Sequence, residues 1–598
     1  MSTSRARLSH FSLNKTLADL NKTLAQLNQG LAAVMDWASR GLRAPVLAAL
    51  LTFICAVPCA MLMPPLDRDE SRFTQATAQM LETGDYVRIM LQDVPRNKKP
   101  VGIHWLQALS VALTSKVEAR QVLAYRWPSI LGAALAAFAC AWGAGKAFGT
   151  RTGLRAGVLF GVSFMLSTEA FWAKTDAVQC GFITLMMAAL AQIYLRTRDL
   201  AKDETVKHGP APKLFWLKLI FWLSLAGSIM IKIIIGPMVL ATTLVSLWIL
   251  SLLKKEVGLG WLRHMGWRLG LSLVLLICAP WFIDITIVTN GDFWRGAAGT
   301  DFAQKLTGGS EGHFAPPGLH TLLLCVTLFP ASFLLGGAIQ TAIQRWREPA
   351  VKFALAWFIL AFIIFELTPT KLPHYPLPTF GALIWLCALS LETKLKPWAR
   401  IVNLVFGLLG GAVLTAVAFF GVKSFGDPSA DIMVVLVAVS TLVLGFLAWW
   451  LMGRQRPSAG LGFLIAAGVI GHLSVVSLVA SLKPLWMSRQ MEQALVAAHL
   501  DPRQGDAPGP VASLGYSEPS LVFRLGTQTE LLDDDADGAV EALKNGQPVF
   551  VEAKFEAPFQ AAAKAQGIAP HAVTQVKGLD YSNGHKMTIT LYDNTPAT

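Results

Sequence analysis

Apolar residues in this chain gather in long, nearly uninterrupted runs rather than in alternating or amphipathic patterns. A helix needs about 20 predominantly apolar residues to cross a bilayer. Thirteen runs come near that length, at residues 44–65, 122–147, 154–172, 177–195, 214–232, 234–253, 268–289, 318–340, 351–368, 376–392, 399–422, 431–452 and 460–482. They predict a multi-spanning α-helical membrane protein. No signal-peptide cleavage motif follows the first run, so it is read as a retained anchor.

The polar flanks orient the runs. Arg5, Arg7, Lys15, Lys22, Arg40 and Arg43 precede the first span and place the N-terminus inside. Alternation then puts 146–155, 196–213, 254–268, 345–352, 394–400 and 454–456 inside, and all six are basic. Most acidic and mixed sequence falls outside: 67–99, 175–176, 290–317, 368–375 and the C-terminal tail. Counting 101–118 as a span would invert everything after it. Val101–Ser115 is therefore expected to be a short helix at the outer interface.

Two parts lack membrane character. Residues 1–40 repeat every seven residues (LNKTLAD, LNKTLAQ, LNQGLAA), with leucines at a and d spacing. A coiled coil and an amphipathic helix on the cytoplasmic membrane surface both fit this pattern. From about residue 485 a small outer α/β domain is expected. Its strands would include Val511–Leu514, Val549–Glu552 and Lys586–Leu591, and its helices Ala536–Lys544 and Ala557–Ala565. The expected organisation is thus 1–40 cytoplasmic, 41–484 membrane with a catalytic outer loop at 67–120, and 485–598 periplasmic.

Composition strengthens the membrane reading. Of 598 residues 54% are hydrophobic and 15% charged, against about 25% charged in soluble proteins. Mean hydropathy is +0.49. A cytosolic enzyme, a nucleic-acid binder and a disordered chain are excluded. The net charge of +13 then reflects inside loops rather than a nucleic-acid partner. All seven cysteines lie in apolar runs without metal-ligand spacing, so disulfides and structural zinc are not expected.

The outer side carries the candidate chemistry. Asp67-Arg68-Asp69-Glu70 with Arg72 follows the first span, and Asp69 and Arg72 share a helical face at i, i+3. Arg96-Asn97-Lys98-Lys99-Pro100 leads into the interfacial helix with His104 and Trp105. Ala173-Lys174-Thr175-Asp176, Lys232 before Gly236-Pro237, a loop with Asp292, Asp301, Lys305, Glu311 and His313, and Thr370-Lys371-Leu372-Pro373-His374-Tyr375 complete the set. Any one such residue is ordinarily a snorkelling side chain. Snorkelling does not account for acids and cations gathered on one side, which suggest an anionic, phosphate-bearing ligand.

These motifs resemble the GT-C class of integral-membrane glycosyltransferases, which use polyprenyl-phosphate sugars. The resemblance spans nearly all of residues 44–598 and is closest to the bacterial lipid A aminoarabinose transferases; protein O-mannosyltransferases are related. It implies about 13 transmembrane helices with a periplasmic α/β domain. It implies Asp69 as first-loop catalytic acid with Glu70 its neighbour, and Asp176 as second acid. Arg72 and Lys99 become donor-phosphate contacts, and Lys371 and Tyr375 belong to a late motif near the donor. Lys232 is a further phosphate contact, although relatives often carry Lys-Gly-Pro where this chain has Lys232-Ile-Ile-Ile-Gly236-Pro237.

The implied reaction moves a sugar, aminoarabinose or another amino sugar, from undecaprenyl phosphate to a lipid A phosphate at the periplasmic face of the bacterial inner membrane. Protein hydroxyls or another glycolipid are alternative acceptors, and a lipid or sugar transporter is the alternative outside enzymes. Transport fits less well, because no inverted repeat is visible and the charges lie at span ends rather than the midplane. With a hydroxyl acceptor Asp69 would be a general base; with a phosphate acceptor it would orient that group. Glu311 and His313 could bind a divalent ion, but no metal or other cofactor is assigned.

Overall fold

The computed structural model describes residues 2–198, 213–254, 258–302, 314–427, 430–581 and 583–594. The heptad segment forms a long helix, α1 (Ser2–Ala38). It packs against the later helix Pro457–Ser481, where Asn28 Oδ1 accepts from Ala459 N at 3.1 Å, near that helix's first turn. Leu27, Val34 and Trp37 remain exposed.

The membrane helices follow. α2 (Arg43–Leu62) leads through a tight turn into α3 (Asp69–Thr83). A short hairpin of β1 (Met90–Leu91) and β2 (Val94–Pro95) precedes α4 (Gly102–Thr114). α4 is too short to span. It buries Ile103, His104, Gln107 and Val111 and exposes Trp105, Leu109 and Leu113, as expected of an interfacial helix.

α5 (Val122–Phe148), α6 (Thr150–Gly161), α7 (Phe164–Ala170), α8 (Asp176–Thr197), α9 (Phe215–Ile231), α10 (Ile235–Lys254) and α11 (Trp267–Val288) continue the bundle. α5 and α8 pack backbone to backbone. A Cβ on Gly132 would lie 2.6 Å from Val178 Cα, and one on Gly181 2.5 Å from Gly132 O. Only glycine permits this approach.

Nine of the expected spans form single helices long and apolar enough to cross a membrane, among the described residues. The other four differ, so the count of thirteen is not reached. Run 154–172 breaks between α6 and α7, and α9 has only 17 residues. Run 318–340 bends by 107° between Leu319–Thr327 and Ala331–Arg345. Pro330 lies at that break, where it can neither donate a helical hydrogen bond nor clear the preceding turn. Run 376–392 gives Leu377–Ser390, 14 residues that are buried throughout.

Beyond the membrane helices lies the α/β domain. Its sheet has the order β4-β3-β5-β7-β6, from β3 (Ala512–Leu514), β4 (Glu530–Leu531), β5 (Val549–Glu552), β6 (His571–Asp580) and β7 (His585–Asp593). β3 pairs parallel with β4 and β5; β7 runs antiparallel to β5 and β6. Alternation divides β5. Val549 and Val551 face the layer of helices Ala536–Lys544 and Glu556–Ala565, while Phe550 faces Met491 and Leu495 on the other side.

The domain docks directly on α3. Ser520 N and Oγ donate to Asp67 O and Oδ1, at 3.2 and 2.6 Å, and Asp67 N donates to Tyr581 Oη at 2.7 Å. Gln75 Nε2 donates to Thr527 Oγ1 at 2.8 Å, and Arg68 pairs with Glu518 at 3.3 Å. Tyr125 and Phe523 meet edge to face at 5.3 Å. Asp67 is buried with Oδ2 unpartnered, and burial, with Glu518 and Asp580 nearby, raises its pKa to about 7.

Two measurements test these contacts. Gly132→Val should wedge α5 from α8 and cost about 3 kcal/mol, read as a lowered Tm in detergent. Asp67 binds its proton more tightly folded than unfolded. Its contribution is therefore full below the unfolded pKa near 4 and is lost as pH rises through about 7. Amide exchange at 518–527 should slow as pH falls from 7 toward 4, after correction for intrinsic rates, and Asp67→Asn should flatten that dependence.

Candidate active site

The site is built on one buried ion pair. Arg126, in the second turn of α5, and Glu70, in the first turn of α3, are both fully buried. Arg126 Nε and Nη2 donate to Glu70 Oε1 and Oε2, each at 2.7 Å. The same guanidinium donates to the carbonyls of Ala60, Met63 and Pro64, so it holds the exposed end of α2. Glu70 also accepts from Leu66 N at 3.0 Å and Ala173 N at 2.8 Å. A buried pair is tolerated when its remaining polar sites are satisfied in this way.

Glu70 therefore faces away from the cavity, which corrects the expectation that it acts beside Asp69. Consecutive helical residues point about 100° apart. With Glu70 anchored inward, Asp69 turns toward the open side.

The segment before α8 is fixed equally firmly. Gln107 Nε2 donates to Ala173 O at 3.0 Å, and Ser129 Oγ to Lys174 O at 3.1 Å. Thr77 Oγ1 in turn donates to Gln107 Oε1 at 2.7 Å. Lys174 and Asp176 are thus delivered to the cavity by a backbone that cannot swing. On the far wall, Lys232 is extended between α9 and α10 (φ −148°, ψ 110°). Gly236 lets the two helices close, because a Cβ there would lie 1.9 Å from Ser228 Oγ. Lys232 Nζ reaches Asp176 Oδ1 at 2.5 Å.

The last wall is the loop after helix Pro349–Leu367. His320 Nε2 donates to Leu372 O at 3.0 Å. Glu366 accepts from Gly318 N and Thr321 N at 2.9 and 2.6 Å. His374 lies between two acids, with Nδ1 3.6 Å from Glu169 Oε1 and Nε2 3.6 Å from Asp176 Oδ1.

These walls enclose a cavity of about 590 Å³. Asp69, Arg72, Lys99, Asp176, Lys232 and Tyr375 line it, so six of the eight residues singled out from the sequence meet there. Lys371 does not. It is buried, and its Nζ donates to Thr368 O at 2.6 Å, which corrects its expected place at the donor and makes it a support of the loop. Arg96, Lys98, Lys174, Gln179 and His374 also line the cavity without having been assigned roles. Arg96 and Lys98 belong to a basic run already visible in sequence, and Arg96 and Lys99 both stand over the Phe73 ring, at 4.7 and 5.0 Å. Glu169 lies one layer behind. A lone acid in an apolar run was the available signal for it.

The cavity lining is of two chemical kinds. Six cations and two carboxylates make one, and Ile233, Ile234, Ile235, Met238, Ile364 and Phe365 make the other. Burial opposes ionisation of Asp69, but Lys174 and Lys99 outweigh it and hold its pKa below the usual carboxylate value. Burial also opposes the charge on Lys174, yet Glu169, Asp176 and Asp69 outweigh it and raise its pKa. His374 is pushed down to about 3, by burial first and then by Lys174 and Lys232 against the pull of the acids. It is neutral at physiological pH.

Asp292 pairs with Arg295 at 2.8 Å on an exposed surface. Glu311 and His313, the pair considered for a divalent ion, lie outside the described residues, as does Lys305. Among the described residues no group of three His, Cys, Asp or Glu side chains is placed to hold a metal ion.

Two kinds of known protein are similar to this chain. The undecaprenyl phosphate-alpha-4-amino-4-deoxy-L-arabinose arabinosyl transferase of Yersinia pestis (strain Pestoides F) is 26% identical over 386 residues, 62% of this chain. The chain spans 64% of that relative's length. The transferase of the same name from Pseudomonas paraeruginosa is 24% identical over 451 residues, 73% of this chain and 75% of its own. The crystal structure of ArnT from Cupriavidus metallidurans bound to undecaprenyl phosphate superposes with a TM-score of 0.69 at 18% identity, over 92% of this chain and 97% of that one. Its apo form gives 0.68 at 17% identity. No family model matches the chain. The fold is thus the GT-C type expected from the motifs, and the protein is a multi-pass membrane protein.

Arg126→Leu should leave the Glu70 carboxylate buried without its main partner and cost about 3–5 kcal/mol. Thermal unfolding in detergent would register it. An unchanged Tm would remove the pair from its anchoring role.

Proposed function

We propose that this protein is a glycosyltransferase of the bacterial inner membrane that moves an amino sugar, aminoarabinose or a close relative, from undecaprenyl phosphate to a lipid A phosphate. The observation that carries the reading is the cavity lining, which combines six cations with a set of large apolar side chains. A polyprenyl-phosphate sugar combines the matching groups, an anionic phosphate and a long apolar chain. Membership of the GT-C fold and the printed activity of the similar transferases support the assignment.

In this reading Arg72, Lys99, Lys174 and Lys232 surround the donor phosphate. The acceptor oxygen attacks the anomeric carbon as the bond to the phosphate oxygen breaks. The electron pair leaves with the polyprenyl phosphate, and the nearby cations stabilise the charge that develops there. One displacement inverts the anomeric centre. Tyr375 borders the donor.

The state of Asp69 favours a phosphate acceptor over a hydroxyl. An effective general base has a pKa near the working pH, and the cations around Asp69 shift it the other way. An acceptor phosphate is already anionic and needs no base. Asp69 and Asp176 then orient the acceptor and the cations, and neutralise part of the excess positive charge. The basic loops at the far end of the bundle support a cytoplasmic N-terminus, with the cavity and the C-terminal domain in the periplasm. Arg151 pairs with Asp36, and Arg155 with Glu392, at that far end.

The test is lipid A mass spectrometry in a strain lacking the protein, with and without complementation. An aminopentose or hexosamine added to a lipid A phosphate is expected. Unchanged lipid A with altered glycoproteins would overturn the acceptor. In the purified protein Lys99→Ala should lower kcat about 10²-fold at an unchanged Tm, and normal turnover by that variant would remove Lys99 from the phosphate site.

A further inference from the structure

Glu169 ends the short helix α7 and is only 1% exposed. It does not line the cavity, yet it touches two side chains that do. Lys174 Nζ lies 3.3 Å from its Oε1 and 3.2 Å from its Oε2, with only Oε1 aligned as a hydrogen-bond acceptor. His374 Nδ1 lies 3.6 Å from Oε1. These partners come from distant parts of the chain, the turn before α8 and the loop before helix Leu377–Ser390. A carboxylate buried this completely is costly unless a charge and a donor accompany it, and Lys174 supplies both.

Lys174 has competing attractions. Asp69 and Asp176, which line the same cavity, both attract it, and the Trp172 ring lies 4.8 Å from its ammonium. Without the pull of Glu169 the ammonium would move forward onto the two cavity acids. It would then neutralise the carboxylates meant for the acceptor and leave the wall where a phosphate rests.

We infer that Glu169 is a positioning residue of the transferase site: it draws the Lys174 ammonium back against the wall and flanks His374 on its Nδ1 side. The inference rests on the reading of the cavity as a polyprenyl-phosphate sugar site. Glu169 never touches substrate. Its effect reaches the reaction through Lys174 and His374, and so falls on geometry in the transition state more than on donor binding, which Lys99, Arg72 and Lys232 also support.

Glu169→Gln keeps the shape and removes the charge; Glu169→Asp keeps the charge and shortens the reach. In purified full-length protein Glu169→Gln should lower kcat about 10²-fold, with KM for the polyprenyl-phosphate sugar within about threefold of wild type. Glu169→Asp should recover part of the loss. A second readout needs no substrate. Acylation of Lys174 by a small amine-reactive reagent, followed by peptide mass spectrometry, should speed up about tenfold in Glu169→Gln as the ammonium leaves its buried carboxylate for the open cavity. Unchanged Lys174 reactivity overturns the inference whether or not the protein proves to be a transferase. So does a raised KM at unchanged kcat, or a fall in Tm that Glu169→Asp shares together with its full loss of activity. A wild-type protein without transferase activity would instead sink the reading of the site, and Lys174 reactivity would still decide the role of Glu169.

Discussion

The Glu70–Arg126 pair is the constraint on which the arrangement of the site rests. One guanidinium closes the end of α2 and binds the first turn of α3, and the carboxylate it meets also holds the backbone at Ala173. Three segments, two of which carry site residues, are thereby tied to the second turn of α5. Its complete burial makes the pair intolerant of loss, since either partner alone would be an unpaired charge among apolar helices. Asp69 and Asp176 both line the cavity, and their neighbours are anchored to the same hub.

Charge around that hub is arranged in layers. Glu70 and Arg126 neutralise one another within the protein. Glu169, Lys174 and His374 form a second layer at the wall. Asp69, Asp176 and the remaining cations face the cavity, with positive charge in excess. This surplus suits an anionic ligand, and it also keeps Asp69 ionised. The same cations that leave this surplus lower the pKa of the carboxylate beside them.

The C-terminal domain belongs to this arrangement through short polar contacts and through Phe523, which packs among Ala78, Tyr125 and Ala173. Ser520, Tyr581 and Thr527 hold residues 67 and 75, on either side of Asp69 and Arg72. Arg120 adds hydrogen bonds to Gln75 and Thr527, at 2.7 and 3.0 Å. Motion of this domain would be felt at the first turn of α3, because the turn leading into it is gripped by both the membrane helices and the sheet domain.

Patterns that depend on neighbouring residues were legible in the sequence alone. Apolar length identified nine helices long enough to cross a membrane among the described residues, α4 is the short helix expected, and β5 and helix Ala536–Lys544 have the expected bounds. β6 was missed because it is an edge strand with mostly partly exposed residues, so it lacks the apolar alternation that marks a strand. The motifs also named most of the cavity. The sequence could not decide which way each charged side chain faces. Glu70 lies next to Asp69 and Lys371 close to Tyr375, yet both turn into the protein, while Lys174 and His374 turn out. Periodicity encodes which residues meet water or lipid, since that is a local property. The partner of a buried charge is chosen by whichever distant helix brings a complementary group to it, and only the tertiary structure makes that choice.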